Sequence, residues 1–326
     1  MRIAIIGRLP MPLLITHGAL FLAAVIWGAN FAAVRVLLNQ VAPLDVLFLR
    51  LAGAAVLFAV LLFAKDRRLP AIGRRDMPAL AAIGIFGVVV PNLAIVFGQA
   101  RVPAALASLI ITSNPIHTAV ISRVMTGEPL TRRKIGGIVV AFFGFLIVLL
   151  YGSVGGVALD SAEVTGVLIL AIAPLTWAFY TVLSKPYVMS YPSLDVSTYT
   201  TLAATLVLLP LPIIDHSMLG RISGMDRQGW LAALFATVIA FVLGYILWYR
   251  GLRHLTPSQT AVYLYLVPVF GLLTAWVVLD ERPTPWLLLG GATILAGVIL
   301  TNTGSRREPR PAPRGRRGEP VVVTAE

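Results

Sequence analysis

The chain reads as an all-α integral membrane protein, with ten transmembrane helices arranged as two inverted-topology repeats of five. Three observations lead there. Hydrophobic residues fill 58% of the 326 positions and charged residues only 12%, for a mean hydropathy of +0.88. Apolar segments of spanning length recur along nearly the whole chain. Residues of distinctive type in the first half return at nearly fixed spacing in the second.

Composition sets the class. A soluble domain carries about 25% charged residues, so this chain has too few to cover a soluble 35.0 kDa surface. That argues against a cytosolic enzyme or a disordered regulator. Cysteine is absent, which excludes disulfides, thiolate metal sites and a cysteine nucleophile. Four scattered histidines argue against zinc. No Walker A loop, HExxH pair or G-x-S-x-G elbow occurs. No metal, cofactor or catalytic residue is expected. A net charge of +12 would suggest nucleic acid in a soluble protein. In a membrane protein, basic residues gather in cytoplasmic loops instead, and no nucleic-acid partner is expected.

The elements follow in order. A spanning helix needs about 20 apolar residues, and segments of that kind fall near 14–37, 46–64, 78–100, 104–124, 135–152, 164–184, 196–214, 229–249, 258–278 and 285–303. Helices are the open-chain way to satisfy the backbone in lipid; a run such as Ile135 to Tyr151 is too continuously apolar for barrel strands. The first segment follows Arg2 and Arg8 as a signal peptide would, but it runs from Pro12 to Leu38 and carries Trp27, Asn30 and Arg35, so it reads as a retained span. Residues 1–13 form a short cytoplasmic N-terminus, 14–152 the first repeat, 164–303 the second, and 304–326 a disordered basic cytoplasmic tail rich in Arg, Pro and Gly. With the N-terminus inside, twenty Lys and Arg fall on the cytoplasmic side. Four, namely Arg101, Arg221, Arg227 and Arg282, fall outside, and Arg35 and Arg50 lie within helices. That split puts both termini in the cytoplasm.

The repeat is the most informative feature. Pro115 matches Pro268, Glu128 matches Glu281, Thr131 matches Thr284, Gly137 matches Gly290, Gly144 matches Gly297 and Gly98 matches Gly251, all 153 residues apart. Earlier the spacing is 150, as Trp27 matches Trp177, Arg35 matches Lys185 and Leu44-Asp45-Val46 matches Leu194-Asp195-Val196. Shared hydrophobicity would not select Pro, Trp, Glu and Gly at constant spacing. Five helices per half is an odd number, so the second half enters the membrane from the opposite side. Many secondary transporters have that architecture, with binding near the midplane between repeats.

These motifs resemble the drug/metabolite transporter superfamily in its ten-helix EamA-like branch. The resemblance spans about residues 14–303. It rests on Trp27-Gly28-Ala29-Asn30-Phe31, on Pro43 followed by Arg50, and on Ala107 to Thr131 with Pro115 and Gly127-Glu128-Pro129-Leu130-Thr131. In the second copy it rests on Trp177-Ala178-Phe179-Tyr180 and on Pro268 through Leu279-Asp280-Glu281-Arg282-Pro283-Thr284. The family commonly has Gly-Glu at both helix ends; here the second is Asp280-Glu281. The resemblance implies an exporter or importer of small metabolites and none of the motifs specifies which.

Candidate site residues come from polar and aromatic groups at mid-span. Pro115 and Pro268 each remove an amide donor and free a carbonyl four residues back, which marks helix breaks or hinges. Ser113, Asn114 and His117 surround the first proline; polar groups in lipid usually face the protein interior. No Asp or Glu lies mid-span, so proton coupling would lean on His117, on helix-end carboxylates or on the substrate. Trp27, Asn30, Asn92, Trp177, Tyr180, Tyr245 and Tyr263 suit the aromatic wall of a cavity for an amphipathic substrate, against the alternative of plain helix packing. Arg35 and Arg50 are expected to snorkel to the outer interface; the alternatives are attraction of an anionic substrate or pairing with Asp45. Arg50, Glu128 and Glu281 are read as gate or helix-end contacts. The reading is a secondary transporter of a bacterial inner membrane, working by alternating access in the efflux direction, on an amino-acid-like, nucleoside-like or drug-like metabolite. A lipid flippase or passive channel of the same fold is the alternative, and an intramembrane enzyme fits less well. The partners are the substrate and the bilayer; nothing in the sequence sets monomer against homodimer.

Overall fold

The structure is a computed structural model that describes residues 11–67, 70–151, 161–280 and 285–302. The described residues contain helices and no strands. The long helices are α1 (Met11–Leu38), α2 (Pro43–Asp66), α3 (Met77–Gln99), α4 (Ala104–Thr126), α5 (Arg132–Tyr151), α6 (Ser161–Ser190), α7 (Ser193–Ile214), α8 (Arg227–His254), α9 (Pro257–Leu279) and α10 (Pro285–Asn302). A short helix, Met218–Ser223, lies between α7 and α8. Eight of them, α1–α4 and α6–α9, are long and apolar enough to cross a membrane. Residues 1–10, 68–69, 152–160, 281–284 and 303–326 lie outside the described residues, so the readings made for the tail and for Glu281, Arg282 and Thr284 do too.

The side chains are distributed inside out. Phe63, Phe86, Leu168, Leu206 and Val277 are exposed on the bundle surface, while Asn30, Arg50, Asn92, Asn114, Thr118, Thr181, Thr200 and Thr201 are buried. An aqueous surface of that kind would drive aggregation; against lipid it is the expected exterior. With lipid as apolar as leucine, packing and polar contacts hold such helices together instead of a hydrophobic driving force.

Every major packing pair has a counterpart when α1–α5 are exchanged for α6–α10. The pair α1–α8 is answered by α6–α3, α1–α9 by α6–α4 and α2–α8 by α7–α3; α2–α7, α4–α9 and α5–α10 map onto themselves. Individual contacts repeat as well. Leu20 fills the space a Cβ on Gly251 would need, and Leu170 does the same at Gly98. At the α5–α10 crossing a Cβ on Gly144 would stand 2.8 Å from the Gly290 carbonyl and 2.7 Å from the Ile294 amide. On Gly297 it would stand 2.6 Å from the Gly137 carbonyl and 2.5 Å from the Ala141 amide. The backbones touch there because neither glycine has a side chain.

Departures from α-helical geometry are also paired. In α3 a π-helical stretch covers Ile85–Val89, and in α8 one covers Phe235–Leu243. A 3-10 turn, Ile111–Ser113, precedes Pro115 in α4, and another, Val262–Leu266, precedes Pro268 in α9. The chain tightens where proline cannot donate to the preceding turn. α4 ends on Gly127 and α9 on Asp280, both in the left-handed region at φ 72° and 57°. Glycine takes that conformation freely, and aspartate is among the few residues that tolerate it.

Gly144→Val or Gly297→Val should therefore lower stability by about 1–3 kcal/mol through overpacking. Gly291→Ala, whose new methyl would meet only Val269 at 3.7 Å, should stay within about 0.5 kcal/mol. Thermal unfolding of the detergent-solubilised variants checks both.

Candidate functional site

Helix periodicity builds the centre of the bundle. Trp177 and Tyr180 lie three residues apart on α6, and Phe241, Tyr245, Trp248 and Tyr249 lie three or four apart on α8, so each set shares a face. Trp27 of α1 completes the group. Its indole ring meets Trp177 edge-on at 5.4 Å, Trp248 at 5.3 Å and Tyr245 at 6.3 Å between centroids. Trp177 in turn contacts Tyr180 at 5.1 Å and Tyr245 at 5.4 Å, and Phe241 stacks on Tyr245 at 4.3 Å. Edge-to-face and offset contacts are the favoured geometry for aromatic pairs.

The polar edges of these rings are unevenly satisfied. Trp27 Nε1 donates to the Ala240 carbonyl at 2.8 Å, inside the π-helical stretch where backbone bonding is rearranged. The Tyr249 hydroxyl donates to that of Tyr180 at 2.5 Å. Trp177 Nε1 and Trp248 Nε1 are enclosed with no hydrogen-bond partner, and the enclosed Tyr245 hydroxyl adjoins the Asn92 side chain. The Asn92 amide instead donates to the Val88 carbonyl at 2.8 Å.

Of the expected residues, then, the structure brings Trp27, Trp177, Tyr180 and Tyr245 together, with Asn92 beside them. Asn30 shares the Trp27 face of α1, and its Oδ1 is enclosed without a donor. Asn114 joins α4 to α6: its amide donates to the Pro174 carbonyl at 2.7 Å and its oxygen accepts from Thr118 at 3.0 Å. Ser113 Oγ donates to the Ile110 carbonyl at 3.0 Å, and His117 Nδ1 is enclosed and unpartnered. Tyr263 lies apart from the aromatic group and pairs with His17. Trp248, Tyr249 and Phe241 escaped the sequence reading, although the spacing from Tyr245 carried the signal.

Arg50 departs from the snorkelling expected of it. It sits seven residues into α2, only 5% exposed, with its guanidinium 5.9 Å from the Phe241 ring. It does not pair with Asp45. That fully buried carboxylate receives the Arg221 fork, at 2.7 Å from both Nε and Nη2, and the Ala42 amide at 3.0 Å. Arg221 also reaches Asp215 at 2.6 Å, which holds the exposed Asp215 carboxyl well below the usual range. Gln40 and Asp226 exchange hydrogen bonds nearby, and the Arg35 side chain donates to the Val102 carbonyl.

Glu128 organises the opposite end of the bundle, next to the start of α9. Its Oε1 accepts from Lys134 at 2.8 Å and Thr256 at 2.6 Å, and Oε2 accepts from Ser122 at 2.5 Å. Burial raises the carboxyl pKa, but donation from Lys134, Ser122 and Thr256 outweighs it and leaves the net value below the ordinary 4.5. Lys185 of α6 reaches the Leu252 and Leu255 carbonyls at 2.5 and 3.0 Å. An apolar groove lined by Ala59, Val60, Phe63, Pro70 and Leu202 opens between α2 and α7. Thr198 is the one polar side chain along it and no aromatic-group residue lines it, so we assign it to the lipid boundary.

Residues 14–150 and 164–303 each match the EamA-like transporter family. A probable terminal-alkyne amino-acid exporter of Streptantibioticus cattleyicolor is 30% identical over 294 residues, covering 89% of this chain and 95% of that one. A probable amino-acid metabolite efflux pump of Escherichia coli is 27% identical over 298 residues, covering 87% and 94%. A solved crystal structure superposes with a TM-score of 0.70 at 19% identity, over 88% of this chain and 97% of that one, which shows the shared fold.

Glu128→Ala strands the Lys134 ammonium in a buried setting and should lower stability by about 3 kcal/mol or more. Because the folded-state pKa of Glu128 is depressed, its contribution is intact above about pH 4.5 and disappears as pH falls through the folded value. Acid unfolding of the wild type beside Glu128→Gln checks the sign, since the glutamine variant should lack this part of the acid sensitivity.

Proposed function

The chain belongs to the EamA-like transporter family, within the drug/metabolite transporter superfamily, and we propose that it is a secondary transporter exporting a small amino-acid-like metabolite by alternating access. In this reading ten helices cross a bacterial inner membrane as two inverted repeats, residues 14–152 and 164–303, with both termini in the cytoplasm. The swapped packing pairs, the two family matches and the twenty-to-four distribution of basic residues support that arrangement. Two relatives carry the names probable terminal-alkyne amino-acid exporter and probable amino-acid metabolite efflux pump, which supports the substrate class and the direction.

One observation carries the mechanism. Trp27 from the first half and Trp177 from the second meet 5.4 Å apart at the centre, while polar contacts join the two halves at each end of the bundle. Asp45 to Arg221 joins them at one end and Glu128 to Thr256 at the other. A central site flanked by two cross-half closures is what alternating access requires, provided they open one at a time. Trp27, Asn30, Asn92, Trp177, Tyr180 and Tyr245 line the substrate region. Pro115 and Pro268, each behind a 3-10 turn, act as the hinges, and Ser113, Asn114, His117 and Tyr263 extend the pathway toward the Glu128 end. Glu128 stands at the gate of its end, and Arg50 borders the central region beside Phe241. His117 is the group available for proton coupling.

Reconstituted in proteoliposomes, the protein should show saturable counterflow of neutral amino acids. Flux that rises linearly with concentration would identify a channel, and absence of flux for a broad metabolite panel would reject transport. His117→Ala should abolish uptake driven by a pH gradient while sparing counterflow; unchanged pH dependence would remove His117 from coupling. Reporter tags at residues 70 and 326 should both report cytoplasm.

A further inference from the structure

Arg50 is a buried cation that the bundle does not neutralise. Its Nε and Nη1 atoms are enclosed and have no acceptor among the described residues. The acids that might answer it are engaged elsewhere. Asp45, five residues earlier on the same helix, is held by Arg221 and the Ala42 amide, and Asp195 of α7 has a partner of its own. The remaining carboxylates among the described residues lie in loops and at helix ends. Taking a charge out of water without a partner is costly, and in a membrane interior such groups mark substrate or ion pathways.

The surroundings of Arg50 have one chemical bias. Phe241 lies 5.9 Å from the guanidinium and stacks on Tyr245, which touches Trp177, which touches Trp248. The two indole nitrogens in that chain are donors only, and both are enclosed and unpartnered. With the two guanidinium positions, four unused donor atoms sit along one continuous group of rings, and among the described residues no free acid faces them. Such a region lacks an acceptor with negative charge. The guanidinium fork matches a carboxylate in shape as well as sign.

Building on the transport reading, we propose that Arg50 anchors a carboxylate of the transported metabolite, whose apolar body lies against the Trp177, Tyr245 and Trp248 rings. Arg50 is then a substrate-binding residue and not an interfacial anchor of α2. Its charge is left unpaired by the protein because the substrate supplies the partner.

The test uses full-length protein in detergent and two probes of nearly equal shape, 3-phenylpropionate and 3-phenylpropanamide. Intrinsic tryptophan fluorescence reads binding and thermal unfolding reads ligand stabilisation. The wild type should bind the acid at least tenfold more tightly than the amide. Arg50→Gln should abolish that preference and Arg50→Lys should retain part of it. The unliganded Arg50→Gln protein should melt no lower than the wild type, since an unpaired charge has been removed. Equal binding of acid and amide by the wild type, failure of the acid to bind the folded wild type, or a preference that survives in Arg50→Gln would each overturn the proposal. A sharp fall in the melting temperature of Arg50→Gln, restored by Arg50→Lys with no effect on the acid preference, would assign the residue a structural role and overturn it too. Counterflow separates this from the broader reading. Saturable wild-type counterflow without preference for carboxylates sinks the anchor alone, whereas no saturable flux of any solute sinks the transporter.

Discussion

A polar group inside a bilayer has no water to turn to, and this constraint orders the rest of the structure. Backbone groups are met by helices, and side-chain polar groups by turning inward. The threonines and serines of α7 illustrate the second requirement. Thr198 donates to the carbonyl one turn back, at Leu194, and Thr205 crosses to the Leu51 carbonyl of α2 at 3.1 Å. Once the polar groups are gathered inside, the helices that carry them must meet, and the place where they meet becomes the place that differs chemically from lipid. The aromatic group around Trp27 and Trp177 occupies that place.

Helix irregularity follows from the same constraint. A π-helical stretch or a proline rearranges backbone bonding, and in lipid the affected carbonyls need other donors. The Ala240 carbonyl, inside the π-helical stretch of α8, receives the Trp27 indole; on α6 the carbonyl of Pro174 itself, not the one its ring frees at Leu170, takes the Asn114 amide as a link to α4. These two segments are thereby joined to side chains on other helices. Local geometry, long-range packing and the position of the central rings are thus one arrangement. Changing a helix at one of these points alters a contact in the other half of the chain.

Much of this was legible in the sequence because type and spacing carry it. The match of Trp27 with Trp177 placed two indoles at equivalent depths, and the structure sets them in contact. Pro115 and Pro268 marked the places where helical geometry tightens. Depth along a helix was readable; azimuth was not, because the contrast between apolar and polar faces fades when a helix is apolar all round. Arg50 shows the consequence. Its distance from the helix end suggested snorkelling, but it lies on an inward face and snorkelling was not open to it. Asp45 and Arg221 are 176 residues apart, and no local pattern links them. Trp248 and Tyr249 could have been found from their helical spacing to Tyr245, had α8 been read for a shared aromatic face.

The two ends of the bundle are built from equivalent helices but closed by different chemistry. At the Asp45 end the cation is the partly exposed Arg221, open to water and salt, so screening weakens the pair. At the Glu128 end both charged partners are buried, and the carboxylate is surrounded by donors from α4, α5 and the start of α9. Separating Glu128 from the start of α9 removes the Thr256 hydroxyl and the longer contact from the Ser258 amide, and leaves the buried ion pair with Lys134 in place. Opening the Asp45 end removes the Arg221 fork from a fully buried carboxylate, which must then be hydrated as it opens. The packing pairs correspond between the halves, and the identity of the groups makes the two ends unequal in energy and in sensitivity to salt and pH. Increasing ionic strength acts on the exposed Arg221 and scarcely on the enclosed Glu128. Acid acts on Glu128 only below the ordinary carboxylate range, because its donors hold the proton off. In the alternating-access reading proposed above, a directional bias between the two ends would reside in a handful of polar side chains and not in the paired helix packing.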